Sequence, residues 1–321
     1  MTRNLVIDCH ADTLLKKYYS FLSMLFPFDN FDFHVSKPLL IEGGVDVQVF
    51  AIFIPPRVEK LGIEITLNMI AMAKEMVKDG EFILIKSNND LKRIENQKDA
   101  LGMILSLEGA VVFERNLKLL PIFYELGIRS IALAWSRKNL FAEGTIFEIK
   151  NYEGEGLTVY GKQLVEQMEN LGMVVDVSHL NKKSFGDVTQ ITTKPFIASH
   201  SNSFKLCPIK RNLTDEQLMS IASAEGVVGV NFCMPFLNPN PEKATINDVI
   251  QHIKHIIEVA GVDYVGLGSD FDGIKKGPEG LEHVGKMKKI PPLLEKEGFS
   301  RQDINKIMGG NFQRVFKTIW H

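Results

Sequence analysis

Short apolar, β-rich runs alternate with longer helical patterns from one end of this chain to the other, and that alternation restricts the fold more than any other feature. The runs lie at Leu5–Ile7, Val45–Ile54, Gly102–Leu107, Ile128–Ala134, Met173–Val177, Pro195–Ala198, Val227–Asn231 and Tyr264–Leu267. Several are continuously apolar, as parallel strands buried on both faces are. The stretches between them carry helical periodicity. In Leu157–Leu171, the residues Leu157, Tyr160, Leu164, Val165, Met168 and Leu171 share one face, and Gly172 follows as a C-cap. About eight strand–helix repeats leave two architectures, a doubly wound sheet or a closed barrel. Phe82–Ile85 is a ninth run, read as an extra strand packed outside the ring.

A (β/α)8 barrel takes roughly 250 residues plus its loops, and the 321 residues here accommodate one. No Pro/Gly/Ser-rich linker and no internal repeat divides the chain. The expectation is an α/β fold, a single (β/α)8 TIM barrel over residues 1–321, with long loops at the C-terminal face of the strands. Leu14–Gly44 and Ser136–Gly156 are read as irregular segments, placed after strand ends where lids and substrate walls occur.

Charge and composition exclude several classes. The 37 basic and 39 acidic residues are mixed along the chain, leaving a net charge of −2 and no basic block, so no nucleic-acid partner is expected. No apolar stretch approaches the ~20 residues of a membrane span. Cys9, Cys207 and Cys233 are few and far apart, which reads as reduced thiols and not as a disulfide framework. The apolar run at the N-terminus ends after three residues at Asp8, too short for a signal-peptide core, and no hydrophobic tail closes the chain. A cytoplasmic protein is expected.

The chemistry gathers where the strands end. His10 and Asp12 stand in Asp8-Cys9-His10-Ala11-Asp12. Residues i and i+2 of an extended segment project to one side, so an imidazole and a carboxylate can meet on one cation while Cys9 faces away. Alone, His-x-Asp is weak. The position recurs, however: Glu108 closes one apolar run, and His179, His200 and Asp270 each follow another. In a barrel these ends open onto one face, where catalytic groups collect. Burying six such groups without partners is costly, so packing alone is a poor explanation. His and carboxylate donors without thiolate suit Zn²⁺, Mn²⁺, Co²⁺ or Fe²⁺. Five donors are too many for one tetrahedral zinc that keeps an open position. They suit two metals sharing a bridging carboxylate and a bridging hydroxide. Asp270, if not itself a ligand, is placed to carry the proton from nucleophile to leaving amine.

These residues resemble the renal (membrane) dipeptidase family, peptidase M19, among the amidohydrolase-type metal-dependent hydrolases. The matching stretches are Asp8-Cys9-His10-Ala11-Asp12, Leu105-Ser106-Leu107-Glu108-Gly109, Leu171 to His179, Ser199-His200-Ser201, Arg211-Asn212-Leu213 and Val265 to Gly273. Pro278 to Glu282 and Gly310 to Val315 add to them, in the family's order and over nearly the whole chain. The resemblance implies a two-zinc site, with His10, Asp12 and Glu108 on one metal and Glu108, His179 and His200 on the other. It implies that Arg211 grips the carboxylate of a small-molecule dipeptide substrate and that Asp270 moves the proton. It also implies a possible homodimer. One departure stands out. Mammalian members carry a histidine in the loop after the fourth strand, where it polarises the substrate carbonyl. This chain has Leu133-Ala134-Trp135-Ser136-Arg137-Lys138-Asn139, so Trp135 fills the position, with Arg137 or Lys138 as substitutes. An indole N–H donates one hydrogen bond and carries no charge.

The expected activity is hydrolysis of a dipeptide amide bond. A two-metal hydrolase acting on another amide, lactam or ester is the alternative, and a metal-binding barrel without catalysis is the reading from a different class. Other histidines are expected to be ordinary. His252 and His255 share a face of the helix Ile246–Ala260, away from the strand ends, while His34 and His283 lie in loops nearer the mouth.

Overall fold

The computed structural model describes residues 3–25, 32–145 and 154–320. Nine strands are present among them: β1 (Ile7–Ala11), β2 (Val47–Phe53), β3 (Ile83–Leu84), β4 (Gly102–Glu108), β5 (Ile128–Ala132), β6 (Val174–Asp176), β7 (Ile197–Ala198), β8 (Val227–Val230) and β9 (Val265–Leu267). Every pairing is parallel, in the order β2-β1-β9-β8-β7-β6-β5-β4. β2 also pairs with β4 from Val47↔Gly102 to Phe53↔Glu108, which closes an eight-stranded (β/α)8 barrel. β3 pairs only with Gly102 and Met103, at the start of β4, before β5 joins that edge at Leu105. It therefore lies outside the ring, as its sequence suggested.

The seams are unequal. β2 and β4 share seven register pairs, whereas β1–β9 and β6–β7 share one each, Asp8↔Leu267 and Asp176↔Ile197.

Apolar residues on the strands pack against the outer helices, with Phe50, Ile52, Leu105, Leu107 and Ile131 fully buried. A second buried group joins Leu5, Ile7, Cys9, Val47 and Ile104 to the last helix, Asn311–Ile319. Phe316 and Trp320 stack there with ring centroids 4.7 Å apart. Each such aromatic ring taken from water contributes on the order of 2 kcal/mol. Cys9 faces this group, away from its neighbours His10 and Asp12.

One expectation needs correcting. Leu14–Gly44 is not irregular: helices form at Thr13–Leu25 and Lys37–Gly43, the second ending on Gly44 at φ 69°. In the first, Leu14 is buried in the core while Leu15, Lys16 and Tyr19 face the barrel mouth, so no clean polar face remains to signal the helix. In the described part of Ser136–Gly156, isolated bridges join Lys138 to Glu143 and Gly144 to Leu180. Positions 146–153 lie outside the described residues, as do positions 26–31 of the phenylalanine-rich stretch. No helix among the described residues is long and apolar enough to cross a membrane.

Candidate metal centre

His10 lies within β1, and Asp12 directly follows it. The register of β1 against β2 slips between Asp8 and Ala11, so β1 carries one extra residue beside His10. A bulge of this kind re-aims side chains next to a site. Glu108 is the last residue of β4, while His179 and Asp270 stand three residues beyond β6 and β9, and His200 two residues beyond β7. The six groups predicted from sequence are thus brought to one end of the barrel. Their side chains meet there.

Glu108 sits at the centre. Its Oε1 lies 2.8 Å from His179 Nε2 and 3.5 Å from His200 Nε2, and its Oε2 lies 3.9 Å from His10 Nε2. His10 Nε2 is 3.5 Å from Asp12 Oδ2. Donor atoms of His10, Glu108 and His200, and separately of His10, Asp12 and Asp270, fall within 4.8 Å of one another.

Two of these atoms have no hydrogen-bonding answer among the described residues. His10 Nε2 and Asp12 Oδ1 are buried without a partner. His179 Nε2 and His200 Nε2 approach to 2.9 Å. The other nitrogen of each ring is already bonded, His179 Nδ1 to Ser136 Oγ at 2.9 Å and His200 Nδ1 to Ser199 Oγ at 2.8 Å. Neutral rings that donate from Nδ1 present two lone pairs to each other and to a carboxylate, an arrangement a cation resolves. The residues therefore fit the metals that the sequence implied.

The electrostatics point the same way. Burial works against a charge on His10, yet the surrounding carboxylates of Glu108, Asp12 and Asp270 push its pKa up to about 10. Burial raises Glu108 well above the ordinary glutamate value, and the nearby Asp12 adds to it. Burial also lifts Asp270 to about 6, against the opposing pull of His10. His179 and His200 are driven down, first by burial and then by Arg211 and His10. The cluster has more negative charge than its own cations balance.

The backbone is strained where it serves the site. His179, Asp270 and Asp272 adopt left-handed conformations, with φ of 69°, 65° and 66°. Each costs on the order of 1–3 kcal/mol and persists only where surrounding bonds impose it. Asp272 shows such bonds, since it accepts from Thr13 Oγ1 at 2.7 Å and from the His34 backbone N–H at 2.7 Å.

A cavity of about 810 Å³ opens onto the cluster, with Asp12, Glu108, His179 and Asp270 on its floor. Phe53, Trp135, Met234 and Phe236 line its walls. Trp135 packs at 5.0 Å against Phe53 and 6.0 Å from His179. Arg137 and Lys138 are exposed, and Lys138 pairs with Glu155 at 2.5 Å. Arg211 is buried beside the cluster, donating to Ser201 Oγ and to the His200 carbonyl, each at 2.7 Å, while its Nε makes no bond. His252 is a bonded core histidine: it accepts from the Ser203 N–H at 3.1 Å and lies 3.0 Å from the Leu237 carbonyl. His255 pairs with Asp215 at 2.8 Å.

Residues 1–320 match the family model described as membrane dipeptidase, peptidase family M19. The chain belongs to the M19 dipeptidase family. It is therefore related to hydrolases classed as metallo-dipeptidases. It is 36% identical over 265 residues to an uncharacterized protein of Klebsiella pneumoniae, a match covering 80% of this chain and 97% of the relative. It is 34% identical over 298 residues to an uncharacterized dipeptidase of Schizosaccharomyces pombe, covering 88% and 72%. Among solved structures, a metallopeptidase from Rhodobacter sphaeroides, liganded with a phosphinate mimic of the dipeptide L-Ala-D-Ala, superposes with a TM-score of 0.90 at 28% identity, all of both chains being covered. An M19 dipeptidase structure matches at 0.89 and 29% over 98% of each chain.

Within this M19 chain, sequence reasoning missed the polar groups behind the donors. Ser136, Ser199 and Asn231 each bond a site side chain, and Asp8 and Asp176 hold serines next to the site. A signal existed for the two aspartates, because each interrupts an apolar strand that would not bury a carboxylate by default.

Proposed function

We propose that the chain is a binuclear, zinc-dependent dipeptidase with a substrate-sized pocket above the cluster. His10, Asp12 and Glu108 would hold one cation and Glu108, His179 and His200 the other, with Glu108 as the bridge. When bound, such cations would supply Lewis-acid activation of water and of the scissile carbonyl, chemistry that other divalent transition metals would also supply. The observation that carries this reading is the meeting of five donors at one barrel mouth with His10 Nε2 and Asp12 Oδ1 unanswered.

The protein's own groups account for the remaining work. Asp270, lifted to about 6 and bonded through Oδ2 to Asn231 at 2.9 Å, is poised to take a proton and return it to the leaving amine. Arg211 is fixed by Ser201 and the His200 carbonyl and offers its remaining N–H groups to the substrate carboxylate. Trp135 and Phe53 form an apolar wall that positions the substrate and excludes water.

Metal analysis and a dipeptide panel test the proposal together. About two equivalents of metal per chain and release of free amino acids are expected, while a metal-free protein inert on every dipeptide rejects it. Trp135 favours one second reading, the same centre acting on another amide, lactam or ester, because an indole cannot supply the charge of the histidine it replaces. Turnover of a cyclic amide or ester by protein inert on dipeptides, with Arg211→Ala of little effect, selects that reading.

A further inference from the structure

Two seams of the barrel carry the same device. In each, the aspartate of the single register pair reaches the serine two residues further along the neighbouring strand. Asp8, paired with Leu267, accepts from Ser269 N at 2.7 Å and Ser269 Oγ at 2.6 Å. Asp176, paired with Ile197, accepts from Ser199 N at 3.0 Å and Ser199 Oγ at 2.5 Å. Both carboxylates are buried, so these bonds answer charges that would otherwise be costly. The carboxylate-to-serine bonds add to the backbone bonds that continue each seam past its strands, Asp270 N to the His10 carbonyl at 3.1 Å in one and Val177 N to the Ile197 carbonyl at 2.8 Å in the other. Each serine directly precedes a group of the site, Asp270 in one case and His200 in the other.

The devices differ in what else the serine touches. Ser269 Oγ accepts from the Phe271 N–H at 3.2 Å and lies 3.2 Å from the His10 carbonyl, and it bonds no imidazole ring. Ser199 Oγ lies 2.8 Å from His200 Nδ1. A carboxylate only accepts, so the Ser199 hydroxyl proton goes to Asp176 and its oxygen accepts from Nδ1–H. The lone pair of His200 is then left on Nε2, the atom facing Glu108 at 3.5 Å.

We propose that Asp176 and Ser199 are positioning residues that preset His200 as an Nε2 metal donor, and that Asp8 and Ser269 are their counterpart, joining the opposite seam without bonding an imidazole ring. The inference rests on the metal-ligand assignment proposed above. Neither pair touches substrate.

The test compares Ser199→Ala, Ser199→Thr and Ser269→Ala in the full chain. Zinc affinity is read by competition with a chromophoric chelator, alongside thermal melting. Ser199→Ala is expected to lose about 10–100-fold in zinc affinity, the usual effect of removing a bond behind a ligating histidine. Ser199→Thr, which keeps the hydroxyl, should hold affinity close to the unsubstituted protein. Ser269→Ala should melt lower, as Ser199→Ala does, while keeping zinc affinity within about threefold, since it leaves the His200 bond intact. Unchanged affinity in Ser199→Ala, or equal losses in both alanine variants, overturns the proposal. Should Ser199→Ala fail to fold, the ¹H–¹⁵N spectrum of histidine-labelled, chelated, unsubstituted protein decides. A proton on His200 Nδ1 supports the proposal, and one on Nε2 overturns it. Unsubstituted protein that binds no zinc would sink the metal assignment instead, and the tautomer spectrum reads the positioning bond separately.

Discussion

Two buried side chains show how one force serves opposite ends. Burial raises Asp270 to about 6, where a carboxyl can gain and lose a proton near neutrality. Asp270→Asn keeps the shape and the bond to Asn231 while removing that capacity. It is expected to lower kcat by about 10²–10⁴-fold with metal content unchanged, and activity within threefold of the unsubstituted enzyme would remove Asp270 from the mechanism. Burial lowers His252 to about 4, keeping it neutral between Ser203 and Leu237. Here the folded value lies below the unfolded one, about 6.5. The bonded, neutral form therefore stabilises the fold fully above pH 6.5, and that stability is lost as pH falls toward 4. The shift corresponds to about 3 kcal/mol. Urea unfolding should show a midpoint falling over that window, and His252→Asn should be less stable at pH 7 but flatter with pH. Equal slopes in the two proteins would assign the acid sensitivity to other groups.

At the scale of elements, the turn after β9 is where backbone and site compete most directly for space. A Cβ on Gly273 would stand 2.2 Å from Asp12 Oδ2 and 2.8 Å from Asp270 Oδ1. Gly273→Ala must therefore push both carboxylates, and it should weaken metal binding at least tenfold while leaving the far-UV spectrum intact. Metal titration of the folded variant checks this, and unchanged affinity would mean that the carboxylates move without consequence. The same scale explains what was legible in the sequence. β2, β4 and β8 were readable because parallel strands buried on both faces are mostly apolar, with Gln48 and Ser106 the interruptions before Glu108. The donors were readable because they follow such runs. Thr13–Leu25 was not, because it lies between the core and the cavity and turns the mixed residues Leu15, Lys16 and Tyr19 toward the cavity, leaving no clean polar face. Nor were the seam bonds, since Asp8 and Ser269 stand 261 positions apart and only barrel closure brings them together.

For the molecule as a whole, the metal centre is a problem of stability as well as of catalysis. Glu108, Asp12 and Asp270 crowd around His10 at the top of a barrel whose ring is held at two seams by single register pairs. Mutual repulsion there opposes closure unless cations offset it. Metal that binds only the folded chain stabilises it by about 2.7 kcal/mol at a hundredfold excess over Kd. For a chain of this length that corresponds to a rise of about 4 °C in melting temperature. Chelation should therefore lower the melting point by about that much. Binding linkage alone would predict the drop, so a second comparison isolates the repulsion. Glu108→Gln removes both the charge proposed to bridge the metals and part of the crowding, so the chelated variant should melt at or above the chelated unsubstituted protein, although its metal-loaded form melts lower. If Glu108→Gln melted lower under both conditions, the carboxylate cluster would not be what strains the metal-free barrel, and its charge excess would be absorbed by protonation of Glu108 instead.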